Sequence, residues 1–420
     1  MSVFPHLHWS AHRPLSKHVA RRESCPEQCA LQPRKHANTC QSSGASFQSG
    51  FIDLLKIIAA QCIVLHHLAF YGPMSDHVRP FAPMFIGWLD TYARIAVQVF
   101  LVTSGFLAAK SLTPRGMPGI ADPLHLVWRR YVRLVPPFMV ATALAVGASA
   151  LAGAWMVHYS ISAMPTLLQL AAHALLLHTV FGYESISAGA WYVAIDFQLY
   201  ALLTCLIWMA GKLAARRSVP WLVPCLVLGG VCASLLYFNR DATWDAWAVY
   251  FFGSYGLGVL AWWARDPARQ RTTVMFLVAA ILVPTLGALM IDFRSRIALA
   301  LIVACALVCV SRHQRDHVGS GWRWIGGIGS HVGKISYGVF LVHFPVCLIV
   351  NAVFTRFVPA QPLLQGFGML LAWGSSMLAG AAFYRWVQLP LSRLSSRGSG
   401  RLSADSGVPP FLQPTLSTLK

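Results

Sequence analysis

The first apolar stretch of this 420-residue chain carries four ionisable side chains, Asp53, Lys56, His66 and His67. A helix turns about 100° per residue, which places Lys56 and His67 within about 20° of one another and about 16 Å apart along the axis. Asp53 falls within about 60° of that face, whereas His66 points about 100° away from His67. Three ionisable groups on one face indicate either a catalytic site or a polar contact between helices. The spacing alone favours neither.

The composition predicts that these side chains lie in a membrane. Of all residues, 56% are hydrophobic and 11% are charged, against about 25% charged in a soluble domain. Charge-free runs such as 134–157 and 272–291 are long enough to cross a bilayer, which takes about 20 helical residues. No pattern of alternating short strands competes with helices. The sequence therefore predicts an all-α polytopic membrane bundle.

The net charge of +19 would suggest a nucleic-acid partner in a soluble protein. Here Lys and Arg crowd the loops that must stay in the cytoplasm, so membrane orientation explains the charge and no nucleic acid is expected. The chain has ten cysteines. None falls in a loop predicted to lie outside, so no disulfide framework is indicated.

The distribution of loop charges predicts how many apolar stretches cross. If 164–181 crossed, the basic residues near 212–217 and 265–271 would lie outside, against the positive-inside rule. We therefore expect ten spans with both termini cytoplasmic, and 164–181 as a re-entrant or interfacial helix on the outer side. Eleven spans is the alternative. The expected spans are 51–70, 92–109, 134–156, 191–211, 219–237, 247–264, 274–291, 297–311, 335–355 and 365–384.

Two polar tails flank these spans. Residues 1–47 are basic and without apolar periodicity, which predicts a disordered cytoplasmic tail. Residues 391–420 form a polar cytoplasmic C-terminal tail, and no soluble domain is expected to be fused to the membrane domain at 48–390. The His and Cys residues of the first tail match no zinc spacing, so no metal site is predicted.

Several motifs carry a resemblance to a known family. The spacing Asp53-x-x-Lys56-x10-His67 resembles the signature of the acyltransferase 3 family, membrane enzymes that O-acylate glycans and related acceptors. Four further stretches are similar to that family's motifs and follow in the same order. They are 97–107 with Ser-Gly-Phe, the basic loop 129–136, 191–200 with Trp-x4-Asp-x-Gln-x-Tyr, and 335–345 with His-Phe-Pro.

The resemblance implies roles for individual residues. His67 is implied to be the general base, Lys56 an electrostatic anchor on the donor side, and Asp53 the partner of Lys56 one turn away. The arginines of the basic loop are implied to bind the phosphates of acyl-CoA, most simply acetyl-CoA. Plain stop-transfer charges are the alternative for those arginines. The donor-side arginines are Arg129, Arg130 and Arg133, and the expected acceptor-side residues are Arg94, Trp191, Asp196 and Tyr200.

Two positions depart from the family pattern. Asp196 stands where the family usually has Glu, and Gln388 stands where many relatives have Glu before a proline. The second change removes a carboxylate and argues against an acid/base role at 388.

The predicted function is O-acylation of a carbohydrate acceptor, a surface or exported polysaccharide, at the cytoplasmic membrane. Two hypotheses compete with it. A secondary transporter would also suit ten spans with buried charge, although no matching halves are evident. An acyltransferase with a protein or lipid acceptor is the other alternative.

Overall fold

A computed structural model describes residues 32–214, 221–313 and 320–394, with side chains from residue 48 except 313–332 and 334. The chain forms two units, Met1–Ser43 and Gly44–Lys420. Residues 1–31 and 395–420 of the predicted tails lie outside the described part, as do the side chains of the tail His and Cys residues. The backbone of 32–47 is helical, so the first helix begins within the region predicted to be the N-terminal tail.

All regular elements of the described chain are helical, which confirms the predicted all-α class. A 3-10 turn, Ala93–Ala96, joins α3 to α4, and a π-helical turn, Tyr384–Gln388, follows α13. The helices are α1 Gln32–Phe70, α2 Pro73–Val78, α3 Pro83–Thr91, α4 Val97–Leu112, α5 Pro123–Gly153, α6 Leu167–Ala174, α7 Ala190–Ala214, α8 Leu222–Leu236, α9 Ala248–Ala264, α10 Arg271–Ile291, α11 Ser295–His313, α12 Ser320–Phe357 and α13 Pro362–Phe383.

The expected spans all correspond to helices. Within the described residues, nine helical segments are long and apolar enough to cross a membrane. The tenth expected span, 247–264, is the 17-residue helix α9, which is buried along almost its whole length at the centre of the bundle. In the stretch 164–181 only the eight residues of α6 are helical. They extend about 12 Å, too short for a bilayer, so the structure does not support the eleven-span alternative.

Small residues bring the central helices together. A Cβ added at Gly105 of α4 would lie 1.9 Å from the Tyr255 carbonyl oxygen of α9. In the reverse direction, a Cβ added at Gly258 would lie 1.9 Å from the Val102 carbonyl oxygen. Both glycines are therefore required for this crossing, because any side chain would collide with the backbone of the other helix.

Hydrogen bonds tie the segment around α6 to α5 and α7. The Tyr131 hydroxyl donates to the Ala174 carbonyl at 2.9 Å, and the Gln198 amide donates to the Leu176 carbonyl at 3.0 Å. Leu176 adopts a left-handed backbone with φ of 55°, which is unusual for a residue with a Cβ. Burial lowers the pKa of His178 to about 3, with a smaller contribution from the neighbouring His173. The stacked pair of these histidines is thus neutral at physiological pH and packs as part of the segment.

The orientation predicted from loop charges can be tested at two exposed positions. Glu184 follows α6, and Lys212 lies near the end of α7. In a background without reactive cysteines, Glu184→Cys should react with a membrane-impermeant maleimide added outside, whereas Lys212→Cys should react only after the membrane is opened. Labelling of Lys212→Cys from outside would overturn the ten-span orientation.

Candidate active site

A cavity of about 680 Å³ opens between α1, α4, α5, α7, α12 and the π-helical turn. Its volume lies within the range of about 300–1,000 Å³ that small-molecule sites occupy. Three cations and one carboxylate line it, namely Lys56, Arg130, Arg133 and Asp196. A net positive lining of this size suits an anionic ligand larger than a single phosphate.

Arg130 and Asp196 form an ion pair inside the bundle. Their closest atoms, Arg130 Nη2 and Asp196 Oδ2, are 2.5 Å apart, and the side chain of Asp196 is only 9% exposed. The guanidinium also lies 4.7 Å above the centre of the Tyr200 ring. The resemblance implied a donor role for Arg130 and acceptor roles for Asp196 and Tyr200. The structure brings all three together because α5 and α7 pack side by side, and Arg130 and Asp196 line the cavity.

The other two arginines of the predicted donor cluster separate in space. Arg133 lines the cavity, one turn beyond Arg130 along α5. Arg129 is exposed and is not part of the cavity lining. Because Arg130 is already engaged by Asp196, Arg133 is the arginine of this cluster best placed to contact an anionic ligand.

We expect the two exposed arginines to differ in their effect on the donor. Arg133→Gln should raise the apparent KM for acyl-CoA by roughly tenfold or more, since hydrogen bonds to charged groups contribute about 1.5–3 kcal/mol. Arg129→Gln is the matched control and should leave that KM nearly unchanged. Initial rates over a range of acyl-CoA concentrations measure both values. Equal KM values in the two variants would return both residues to a purely topological role.

Lys56 lies where two cavities meet. It lines the main cavity and also a smaller one of about 140 Å³ that contains Asp53, Lys110 and Trp262. Asp53 lies one turn from Lys56, close enough for the charge of its carboxylate to act on the Lys56 ammonium. The Asp53 side chain also packs on α12, where a Cβ added at Gly333 would lie 2.7 Å from it.

His67 contacts a histidine that lies 276 residues further along the chain. Its Nδ1 is 2.6 Å from Nε2 of His343 on α12, and the two rings are stacked at 4.9 Å. Both residues are buried, with relative exposures of 7% and 0%. His66 points elsewhere, and its Nδ1 bonds to the Leu89 carbonyl at 3.0 Å. The helical phase that separated the two adjacent histidines is therefore present in the structure.

Hydrogen bonding assigns the proton positions in this histidine pair. His343 Nδ1 lies 3.1 Å from the Val339 carbonyl, which can only accept, so this nitrogen carries the proton. In neutral His343 the other nitrogen, Nε2, is then an acceptor, and His67 Nδ1 donates to it. The basic lone pair of His67 is left on Nε2. This is the arrangement of a general base oriented by a second group.

The remaining predicted acceptor residues lie away from the cavity lining. Trp191 packs against Tyr192 and Phe251, with the Phe251 ring 5.6 Å away. Arg94 is exposed in the 3-10 turn before α4 and is close enough to interact electrostatically with His66. Neither residue contacts His67 in the structure.

Three aromatic rings line the cavity, and one of them adjoins the histidine pair. Phe100, Tyr192 and Phe340 all line the cavity, and each ring contacts the other two. Phe340 precedes His343 by one turn of α12, with 6.1 Å between their rings. We call these three residues the aromatic wall. His67 and His343 lie beyond it and do not line the cavity.

Three contributors to this site were not predicted from the sequence. His343 stands in the His-Phe-Pro motif, but its contact with His67 joins segments too distant in sequence for periodicity to detect. Gln388 was set aside as a lost carboxylate, yet it lines the cavity from the π-helical turn, a feature that often marks functional sites. Tyr192 follows Trp191 in the sequence, and neither its residue type nor its spacing indicated a place in the site.

Comparison with known proteins adds an independent finding. Residues 49–384 match the family model described as "Acyltransferase domain", the acyltransferase 3 model. The chain is also 21% identical over 425 residues to "Regulator of hypoxia-inducible factor 1" from Caenorhabditis elegans, an alignment that covers 84% of this chain and 81% of that protein. No solved structure matches the chain.

Proposed function

Because the chain belongs to the acyltransferase 3 family, it is a membrane acyltransferase, and we propose that it moves an acyl group from acyl-CoA to a hydroxyl of a carbohydrate. The acceptor is a surface or exported polysaccharide, and the membrane is the cytoplasmic one, with both termini inside. The observation that carries this proposal is the His67–His343 pair directly beyond a cation-lined cavity. A transporter interpretation is not supported by the family match.

The cavity supports an acyl-CoA donor. Its cations outside the Arg130–Asp196 pair, Lys56 and Arg133, suit the phosphates of coenzyme A, because ammonium and guanidinium groups both bind phosphate oxygens. The loop charges place these ends of α1 and α5 on the cytoplasmic side, where acyl-CoA is available. Phe340 of the aromatic wall adjoins His343, which supports a donor bound with its acyl end towards the histidines.

His67 Nε2 supplies the base for the transfer. It accepts the proton of the acceptor hydroxyl while that oxygen bonds to the thioester carbonyl carbon. The carbon–sulfur bond then breaks, and the proton passes from His67 to the departing thiolate. The products are an ester and free coenzyme A. His343 holds the imidazole in the tautomer that this step requires.

Aromatic side chains on the far side of His67 support a carbohydrate acceptor. The Tyr71 ring lies 5.3 Å from the His67 ring, and Phe70 and the exposed Tyr159 continue the row towards the surface. The Tyr159 hydroxyl donates to the Phe70 carbonyl, which fixes its position. Flat apolar faces with polar edges suit sugar rings, which present both C–H faces and hydroxyls.

Two substitutions of His343 should separate its hydrogen bond from its bulk. His343→Gln keeps an oxygen that can accept from His67 Nδ1 and should retain transfer within about tenfold of the parent. His343→Leu offers no acceptor and should lose about 10²-fold or more, because the His67 tautomer is no longer held. Turnover at saturating donor measures both. If the two variants turn over equally, the tautomer role of His343 is wrong.

The chemistry of the product bond tests the proposed function. Membranes containing the protein are given radiolabelled acetyl-CoA, and the products are separated into carbohydrate, lipid and protein fractions. We expect label in the carbohydrate fraction and its release by mild alkali, which cleaves esters and spares amides. Label that survives alkali, or label confined to the lipid or protein fraction, would contradict O-acylation of a carbohydrate.

A further inference from the structure

Resting on the proposed function, we propose that the aromatic wall of Phe100, Tyr192 and Phe340 restricts the transferred group to short acyl chains. All three rings line the donor cavity, and Phe340 adjoins His343, the partner of the base. An acyl thioester that enters past Lys56 meets the three rings with its acyl end first. These rings therefore set the size of the acyl group that can approach the base.

Each ring of the aromatic wall contacts the other two. Ring centroids are 5.8 Å apart for Phe100–Tyr192 and for Phe100–Phe340, and 5.3 Å apart for Tyr192–Phe340. These separations are those of aromatic rings in direct contact. Phe340 and Tyr192 are 5% and 8% exposed. No long chain fits between rings at these distances unless at least one ring moves.

The surroundings hold two of the three rings in place. The Tyr192 hydroxyl lies 3.3 Å from the Ser104 hydroxyl on α4, which fixes the end of that ring. Behind Phe340 lies the backbone of Gly189, where an added Cβ would be 3.0 Å from Phe340 Cε1. Beyond Phe340 the next ring is that of His343, at 6.1 Å. Phe340 therefore has little room to retreat from a longer acyl chain.

The rigidity of the wall makes each added methylene unfavourable. Well-packed interiors accept extra volume poorly, because side chains must leave their preferred rotamers to admit it. One methylene more or less in an apolar pocket changes the rate of an enzymatic reaction by about 10–200-fold. An acetyl group needs the smallest displacement of the wall, and an octanoyl group needs far more.

The test compares acetyl-, butyryl-, hexanoyl- and octanoyl-CoA as donors for the purified protein, with polysaccharide extracted from its own membranes as acceptor. The parent should prefer acetyl to octanoyl by at least about 10²-fold in kcat/KM. Phe340→Ala should lower that preference by about tenfold or more, and Phe340→Leu, which keeps an apolar side chain and protects the fold, should lower it in the same direction.

Phe251→Ala is the matched control, since Phe251 is a partly buried aromatic residue of α9 that contacts Trp191 and does not line the cavity. It should keep the donor preference of the parent. If the folded Phe340 variants also keep that preference, or if the parent uses all four donors equally, the inference is wrong while the proposed function stands. If the parent transfers no acyl group of any length, the proposed function itself fails.

Discussion

Replacing His67 by alanine should lower the rate of acyl transfer by about 10²–10⁴, the usual loss when a general base is removed. The adjacent His66 provides the matched control. Its side chain faces α3 and bonds to the Leu89 carbonyl, away from His343. His66→Ala should therefore keep most of the activity. Initial rates at saturating donor and acceptor measure both variants.

The comparison requires that both variants reach the membrane folded. Both histidines are buried to a similar degree, at 8% and 7% exposure, so a general effect of emptying a buried site should appear in both. Equal losses in the two variants would indicate such a general effect. A folded His67→Ala protein that transfers acyl groups at the parent rate would remove His67 from the mechanism.

Breaking the Arg130–Asp196 pair should produce the largest loss of stability. The Asp196 side chain is 9% exposed, so removing Arg130 leaves a buried carboxylate without compensation, which typically costs about 3–5 kcal/mol. Removing Asp196 leaves the Arg130 guanidinium, which is 31% exposed, and should cost less. Arg130→Gln and Asp196→Asn should each lower the thermal stability of the protein in detergent. The double variant, Arg130→Gln with Asp196→Asn, should recover much of that loss because no charge remains.

The same three proteins separate stability from function. The double variant should remain poorly active although it is stable, because the cavity has lost the guanidinium that lies over Tyr200. If the single variants are as stable as the parent, water must reach the pair, so that the remaining charge needs no partner. A double variant with parent activity would show that the pair serves the fold alone.

Hydropathy and helical phase account for much of what the sequence predicts correctly. Long apolar runs mark the helices because a bilayer admits little else, and the loop charges distinguished the short α6 segment from the apolar stretches expected to cross. The 100° repeat placed His67 on the face of Lys56 and turned His66 away. These are properties of one helix, and local sequence contains them.

Contacts between helices account for what the sequence did not predict. Asp53 packs against α12, which approaches so closely at Gly333 that an added Cβ would lie 2.7 Å from the Asp53 side chain. Arg130 and Asp196 meet because α5 and α7 are neighbours, and His343 meets His67 because α12 lies against α1. Residue types and spacing carry no record of which helices adjoin, so these pairings needed the structure.

The most direct test of the central claim measures both products of one reaction. Purified parent protein, acetyl-CoA and the membrane polysaccharide should yield free coenzyme A thiol and alkali-labile acetyl ester in equal amounts, because one carbon–sulfur bond breaks for each ester formed. Folded His67→Ala should yield almost none of either. Thiol release and ester formation that continue unchanged without His67 would contradict the account.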